Sequence, residues 1–339
     1  MKLSRYAARR LQLLAIPALA GTLIGPAVAA FISPKPTPYT ALQGVICGLA
    51  IGVTVFYLEY FILDRIRKFS IGIIIVSRTL IYSLVIVASY ILSNVIVFPL
   101  DTLLYDIRNY LAPTFVAAVV SILTIMLFIN VNRLLGQKVF IRLLVGLYHR
   151  PVTERRIFMF LDLASSTALA EEMGDRAFHS FLNDFFFDAT RPIVECKGEI
   201  YKYVGDEIIV TWTMKNGIKK GNCIECFFLI EEAVARMADR YRGKYGSVPR
   251  FTAGVHCGEA VIGEMGDYKR EVAFLGDAVN TTARIQSECR HRERGLIVSG
   301  DLRDELAGRG LEGYAFENLG AMVLRGKKRE VELCSVTRG

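Results

Sequence analysis

The segment Gly198–Trp212, GEIYKYVGDEIIVTW, decides the fold of the second half of the chain. Two runs rich in β-branched and aromatic residues, which favour strands, flank Gly205, Asp206 and Glu207. A glycine followed by acids between two such runs predicts a tight β-hairpin. A hairpin tip holds a side chain in a fixed position, so Asp206 is a candidate metal ligand.

A second strand-like run further upstream also ends on a carboxylate. The segment RIFMFLDLASST, residues 156–167, places Asp162 at the end of an apolar strand. Carboxylates on neighbouring strands can share hard cations such as Mg²⁺, which prefer oxygen ligands. Taken singly, Asp162 and Asp206 are better explained as a turn residue and a strand terminator. Together with the motifs below, they predict a metal site.

The positive charge of the chain is concentrated near its N-terminus. The chain has 339 residues, enough for two domains, and a net charge of +8. Of its 41 basic and 33 acidic residues, 11 and 4 lie in residues 1–136, which leaves 30 and 29 for the rest. A C-terminal part that is nearly neutral argues against nucleic-acid binding, which needs a basic face on a folded domain.

Four apolar segments occur in series in the N-terminal part, at about 11–32, 40–63, 71–98 and 114–131. Each is near or above the roughly 20 residues that a helix needs to cross a bilayer. Buried helices of a soluble domain are the alternative, but four such segments in a row favour the membrane. Residues 1–132 are therefore predicted to form a transmembrane α-helical bundle of about four helices.

The loops between these segments predict the orientation. The N-terminus, the loop 64–68 and the segment after Asn132 are basic, whereas the loops near Lys35 and at 101–108 are poor in cations. The positive-inside rule then places both termini in the cytoplasm, and the protein as a multi-pass component of the inner (plasma) membrane. Arg78, near the start of the third segment, is expected to snorkel to the interface rather than to line the bundle.

Beyond the apolar segments, the sequence pattern changes twice. Residues 133–156 are polar and helix-prone, and predict a helical linker that pairs in a dimer, lies on the following domain or lies on the membrane surface. From residue 157 onward, strand-like and helix-like runs alternate and predict an α/β domain over 157–339. Its strands are predicted to include 157–163 and, as a hairpin, 251–257 with 259–264.

The segment EVAFLGDAVNTTARIQ, residues 271–286, supplies a second group of polar side chains. Asn280 and Arg284 are four residues apart and so lie on one helix face. An amide and a guanidinium on one face suit a phosphate-bearing ligand. A helix capped at Asp277 with a solvated arginine is the alternative. Further along, Lys327 lies in a predicted hairpin turn.

Taken together, these residues resemble the class III nucleotidyl cyclases, over about 155–336. The resemblance implies a ferredoxin-like α/β catalytic domain. Asp162 and Asp206 match the two metal carboxylates of the family, and Leu163 matches the residue whose backbone carbonyl also contacts metal. The resemblance therefore implies two Mg²⁺ (or Mn²⁺) ions in each active site.

Other positions match residues that contact the substrate in that family. Lys202 matches the lysine that reads the adenine ring, and Lys327 the lysine that contacts the terminal phosphates. Asn280 and Arg284 match the pair that stabilises the transition state. Ala273 departs from the pattern, because adenylyl cyclases commonly carry Asp or Thr there to accept a hydrogen bond from the adenine amine.

The resemblance implies an adenylate cyclase: the 3′-hydroxyl of ATP attacks the α-phosphorus, cyclic AMP forms and pyrophosphate leaves. In the family, the metal carboxylates come from one protomer and the substrate-reading residues from the other, which implies a homodimer. A guanylate cyclase or a cyclase of relaxed specificity is one alternative. A membrane receptor with a non-catalytic nucleotide-binding domain is another. The membrane part is either a sensor or a plain anchor.

Overall fold

The computed structural model describes residues 21–33, 37–61, 71–98, 151–268, 271–292, 294–307, 313–326 and 329–339, with a few isolated positions. The chain divides into two compact units, Met1–Leu135 and Gly136–Gly339. Residues 124–150 lie outside the described part, so the predicted end of the membrane domain and most of the predicted helical linker stay predictions.

Three helices are described in the first unit: α1 (Gly21–Ile32), α2 (Pro38–Phe61) and α3 (Ile71–Val97). Within the described residues, the segment Val76–Val97 alone is long and apolar enough to cross a membrane, with a mean hydropathy of 2.2. The described part of the first unit therefore has one helix that passes this test, whereas four spans were predicted. Most of the fourth predicted segment, 114–131, lies outside the described residues.

Close packing of glycines joins α1 to α2. Gly21 faces Gly48 and Gly25 faces Gly44, so the two helices run in opposite directions. A Cβ atom at any of these four glycines would overlap the carbonyl oxygen of the glycine opposite. Small residues four apart let two helix backbones approach closely, which is a common way for membrane helices to pack.

Arg78 does not snorkel, contrary to the prediction. It is 8% exposed, and it lies on the same face of α3 as the buried Tyr82, Ile86 and Tyr90. That face repeats every four residues, and α3 packs against α2. Arg78 is buried because it lies on the packed face of α3, although it is close to the start of the apolar segment.

The second unit is built on an eight-stranded mixed sheet. Its strands are β1 (Val152–Leu163), β2 (Glu199–Val204), β3 (Glu207–Thr213), β4 (Phe251–Met265), β5 (Glu271–Leu275), β6 (Leu296–Ser299), β7 (Tyr314–Val323) and β8 (Glu330–Arg338). The order across the sheet is β2-β3-β1-β4-β6-β8-β7, and β5 pairs with β4. Strands β4 and β6 pair in parallel, and β1 lies antiparallel between β3 and β4.

The helices of the second unit are α4 (Ser166–Met173), α5 (Asp175–Glu195), α6 (Met214–Ile218), α7 (Asn222–Arg236), α8 (Ala238–Tyr245), α9 (Asp277–His291) and α10 (Gly300–Leu306). They confirm the predicted α/β class. The β-hairpin predicted in the segment 198–212 and the helix predicted around Asn280 and Arg284 also match the structure.

Side chains along β1 point alternately to the two faces of the sheet. Met159 and Leu161 belong to the main core, which includes Phe181 and Phe185 of α5. The intervening Phe160 belongs to a smaller cluster on the other face, together with residues of α9. Side chains of a strand alternate between faces, so Asp162 lies on the α9 side, two residues beyond Phe160.

The strand β1 begins five residues earlier than predicted. Val152–Arg156 were assigned to the helical linker but are paired with β4. The fully buried Arg156 donates hydrogen bonds to Thr211, Glu154 and Glu199 at 3.1, 3.0 and 3.2 Å. Two of these three partners, Thr211 and Glu199, are distant in the sequence, so a local pattern does not show them.

The predicted hairpin within 251–264 was also wrong, because Phe251–Met265 is one continuous strand. Gly258 is the residue between the two strands of the predicted hairpin. It lies instead inside β4, where a Cβ would come 2.9 Å from the side chain of Ala278 in α9. This glycine makes room for a helix, so its function is packing.

Candidate active site

The helix α9 lies directly on β4, and this places its polar residues above the end of β1. A Cβ at Gly254 would overlap the backbone of Gln286, so only glycine permits this approach. The buried face of α9 includes Thr281, Thr282 and Ile285. From the same helix, Gln286 and, one turn later, Arg290 extend toward Asp162.

Asp162 is a buried carboxylate, 5% exposed, at the second-last position of β1. Its neighbours across the sheet are Glu207 of β3 and Thr252 of β4. Its Oδ2 accepts a hydrogen bond of 2.9 Å from Gln286 Nε2 and an ion-paired hydrogen bond from the guanidinium of Arg290. A buried charge of this kind requires such partners.

Asp206 lies in the turn between β2 and β3 and is half-buried. The register pairs Asp162 with Glu207, so Asp206 is the next residue beyond that pair. Its Oδ2 is buried and has no hydrogen-bond partner among the described residues. A buried carboxylate oxygen without a donor is rare in folded proteins, and a bound cation is one arrangement that would satisfy it.

The adjacent Glu207 has a raised pKa. Burial, together with the neighbouring charge of Asp206, raises the pKa of Glu207 to about 7. Its charge therefore changes near neutral pH, beside the candidate metal ligand. Burial contributes most to this shift, and the adjacent acid at the hairpin tip adds to it, because like charges in close proximity suppress each other's ionisation.

The donor set suits a cation that retains much of its water. Among the described residues, no group of three or more His, Cys, Asp or Glu side chains is placed to enclose a metal ion. Mg²⁺ commonly binds through one or two carboxylates and completes its shell with water and substrate phosphates. Asp162, Asp206 and the carbonyl of Leu163 fit that kind of site, and a closed all-protein cage is not needed.

Lys202 lies on β2 and Ala273 on β5, and side chains of these two strands are in contact. The backbone N–H of Phe274 donates to the hydroxyl of Tyr201 at 3.3 Å, and their ring centroids lie 4.7 Å apart. Lys202 Nζ lies 3.2 Å from both carboxylate oxygens of Glu271. Ala273 is buried, 8% exposed. Lys202 is thus already paired with a carboxylate on the strand of Ala273.

Asn280 and Arg284 lie on the exposed face of α9, opposite its buried face. Within the described part of the chain, neither side chain makes a hydrogen bond or an ion pair. Both are therefore available to a ligand or to a second protein chain. Lys327 lies outside the described residues.

A model of the adenylate and guanylate cyclase catalytic domain matches residues 149–335. The chain belongs to this family. The predicted resemblance is thereby confirmed, although the roles carried over to single residues remain predictions.

Two curated relatives of this cyclase-family chain are bacterial. Adenylate cyclase 2 of Rhizobium meliloti (strain 1021) is 38% identical over 211 residues, which cover 62% of this chain and 58% of that protein. The adenylate cyclase of Anabaena cylindrica is 31% identical over 141 residues, which cover 40% of this chain and 27% of that protein. The matched region thus spans less than two thirds of either relative.

A solved bacterial light-regulated adenylyl cyclase has a similar fold. The TM-score is 0.56 at 20% sequence identity, and the match covers 66% of this chain and 64% of that chain. At this level of identity, the likeness concerns the fold alone.

Sequence reasoning missed three residues of this cyclase-family site. Gln286 and Arg290 contact Asp162, and Glu271 pairs with Lys202. No local motif distinguishes them, since each acts on a partner that is distant in the sequence. The helical spacing of Gln286 and Arg290, four residues apart, would have placed both on one face of α9.

Proposed function

We propose that this chain is an adenylate cyclase that converts ATP to 3′,5′-cyclic AMP and pyrophosphate. The observation that carries the proposal is the buried Asp206 oxygen without a donor, one residue beyond the partner of Asp162. Two carboxylates placed in this way, on a member of the cyclase family, fit a metal-dependent transfer at a nucleotide phosphate. The names of the two curated relatives support adenine as the base.

Asp162, Asp206 and the backbone carbonyl of Leu163 would hold two Mg²⁺ or Mn²⁺ ions. When bound, such ions lower the pKa of a hydroxyl and neutralise phosphate charge. The Arg284 guanidinium would meet the negative charge that grows on the phosphoryl oxygens, and Lys327 the charge on the leaving pyrophosphate. Asn280 would orient the ribose. No side chain is assigned as the base, so solvent or substrate takes the proton.

The proposed site is completed by a second copy of the chain. Asn280 and Arg284 are exposed and without partners among the described residues, whereas Asp162 is buried under the same helix. An exposed pair of this kind can reach the carboxylates of a facing copy. A symmetric homodimer then contains two equivalent sites, each with carboxylates from one protomer and Lys202, Asn280 and Arg284 from the other.

Identification of the product tests the proposal against its alternatives. The purified protein is incubated with Mg²⁺ or Mn²⁺ and either ATP or GTP. Cyclic AMP and pyrophosphate from ATP are expected. Cyclic GMP as the main product would favour the guanylate cyclase, and bound but unconverted nucleotide would favour the non-catalytic receptor.

Base selection is expected to be modest and to depend on Lys202. Ala273 offers no acceptor to the adenine amine, and a missing hydrogen bond of this kind changes binding by only about 0.5–1.5 kcal/mol. Ala273→Thr should therefore sharpen the preference for ATP. Lys202→Glu should weaken it, since a carboxylate accepts from the N–H groups of guanine. The measurement is kcat/KM for ATP and for GTP in each variant.

The control for base selection is Glu271→Gln, which removes the charge that holds Lys202 at 3.2 Å but leaves the lysine in place. It should shift the ATP-to-GTP ratio less than Lys202→Glu. A wild-type preference for GTP would contradict the adenylate assignment. An unchanged ratio in Lys202→Glu would show that the base is read elsewhere.

We also propose that the first unit spans the inner (plasma) membrane four times, with the catalytic domain in the cytoplasm. The glycine packing of α1 on α2 and the apolar segment Val76–Val97 support a membrane bundle. The buried Arg78 and Asn94 of α3 suit the interior of such a bundle, where polar groups avoid lipid.

Reporter fusions test this topology. Reporters at Pro36 and Tyr105 are expected outside, and reporters at Arg67 and Arg155 inside, because cytoplasmic loops collect the positive charges. A reporter at Arg155 that reads outside would contradict the topology, since the catalytic domain would then have no access to cytoplasmic ATP.

A further inference from the structure

Asp162 has two partners of different character in α9. Gln286 is a neutral, buried side chain that donates to Asp162 Oδ2 at 2.9 Å and lies 3.4 Å from the hydroxyl of Thr252. Arg290 is charged, and its side chain is 55% exposed although its guanidinium reaches the same oxygen. The glutamine is thus enclosed by the fold, whereas the arginine approaches from solvent.

The two partners have different effects on the carboxylate. Gln286 fixes the position of Asp162, because a buried amide with two partners has little freedom to move. Arg290 places a positive charge against the Asp162 side chain, which is only 7% exposed, and so balances a charge that is largely shielded from solvent. The half-exposed guanidinium can return to water at small cost, since long basic side chains keep their charged ends hydrated.

A divalent cation at Asp162 would bind the same carboxylate as the guanidinium of Arg290, and two adjacent cations repel each other. We propose that Arg290 is an exchangeable counter-ion of Asp162, which lowers the affinity of the site for metal and leaves when a divalent ion binds. Gln286 stays in place and keeps the carboxylate oriented, because one donor uses only part of the acceptor capacity of a carboxylate. The inference rests on the proposed metal site at Asp162.

The test is the dissociation constant for Mn²⁺, measured on the purified full-length protein without nucleotide by the electron paramagnetic resonance signal of free Mn²⁺. Arg290→Met should bind Mn²⁺ about tenfold more tightly than wild type, because the metal ion no longer competes with an adjacent positive charge. Arg290→Lys retains a competing cation and should stay closer to wild type.

The matched control is Arg292→Met. Arg292 is two residues further along the chain and contacts Glu288 and Met322, so its loss removes an equal charge without touching Asp162. The affinity of Arg292→Met for Mn²⁺ should match that of wild type. If Arg292→Met gained as much Mn²⁺ affinity as Arg290→Met, the gain would come from general surface charge, and the proposal would be overturned.

The melting temperature provides a second test, which remains valid if Arg290→Met is less stable than wild type. A ligand that binds only the folded state raises the melting temperature more when it binds more tightly. Saturating Mn²⁺ should therefore raise the melting temperature of Arg290→Met more than that of wild type. Unchanged or weaker Mn²⁺ binding by Arg290→Met would show that the arginine only supports the structure.

Asp162→Asn separates failure of this inference from failure of the proposed function. If wild type binds Mn²⁺ and Asp162→Asn does not, the metal site stands, and the Arg290 variants decide the inference alone. If Asp162→Asn binds Mn²⁺ as tightly as wild type, the metal site itself is wrong and the inference is overturned with it.

Discussion

Replacing Asp206 with asparagine is expected to abolish cyclisation while leaving the fold intact. The Oδ2 atom of Asp206 has no hydrogen-bond partner among the described residues, so its replacement by an amide nitrogen breaks no described hydrogen bond. Asparagine has nearly the same shape but is a much weaker ligand for a hard cation. The loss in kcat should be at least about a thousandfold, since several kcal/mol of charge stabilisation disappear and each 1.4 kcal/mol is about tenfold.

The measurement compares initial rates with Mn²⁺ and ATP, together with thermal unfolding followed by circular dichroism. Asp239→Asn is the matched control, because that side chain is fully exposed and pairs with Arg242 on the surface. It should retain wild-type activity. Cyclisation of ATP by Asp206→Asn at the wild-type rate would show that the metal site has been placed wrongly.

The second large effect is expected for Arg284→Ala. Removal of one preorganised donor from a developing oxyanion typically costs about 10²–10³-fold in kcat. Arg284 is exposed and makes no described hydrogen bond or ion pair, so its replacement should change the free energy of unfolding by less than about 0.5 kcal/mol. Full stability combined with lost turnover is the signature of a residue that acts on substrate.

Arg236→Ala provides the control for Arg284→Ala. Arg236 is also an exposed helical arginine, 3.6 Å from Glu232 one turn earlier, and lies on α7. Its loss should leave kcat unchanged. If Arg284→Ala also kept wild-type kcat, the alternative interpretation of Arg284 as a solvated surface residue would be correct.

The parts of the fold that follow from local patterns could be predicted from the sequence. The β2–β3 hairpin is specified by its own strand formers and by Gly205, and α9 by its apolar spacing after Gly276. The α/β class follows from the alternation of such elements. Asp162 and Asp206 could be predicted as candidate metal ligands, because one ends a strand-like run and the other lies at a hairpin tip.

The parts that depend on packing could not be predicted. Gln286 is 124 residues from Asp162, and Arg290 is 128 residues from it, so no sequence period connects them. The early start of β1 depends on β4 as a partner and on Glu199 and Thr211 around the buried Arg156. In each case, side chains from distant elements decide the outcome.

Mixing Asp206→Ala chains with Arg284→Ala chains tests the central claim most directly, namely that two copies of the chain share each active site. Each variant alone forms only defective sites, whereas a heterodimer contains one complete site. In a random mixture half of the dimers are heterodimers, so activity should recover to about a quarter of wild type. No recovery, despite demonstrated heterodimers, would contradict the account, because each chain would then contain a whole site.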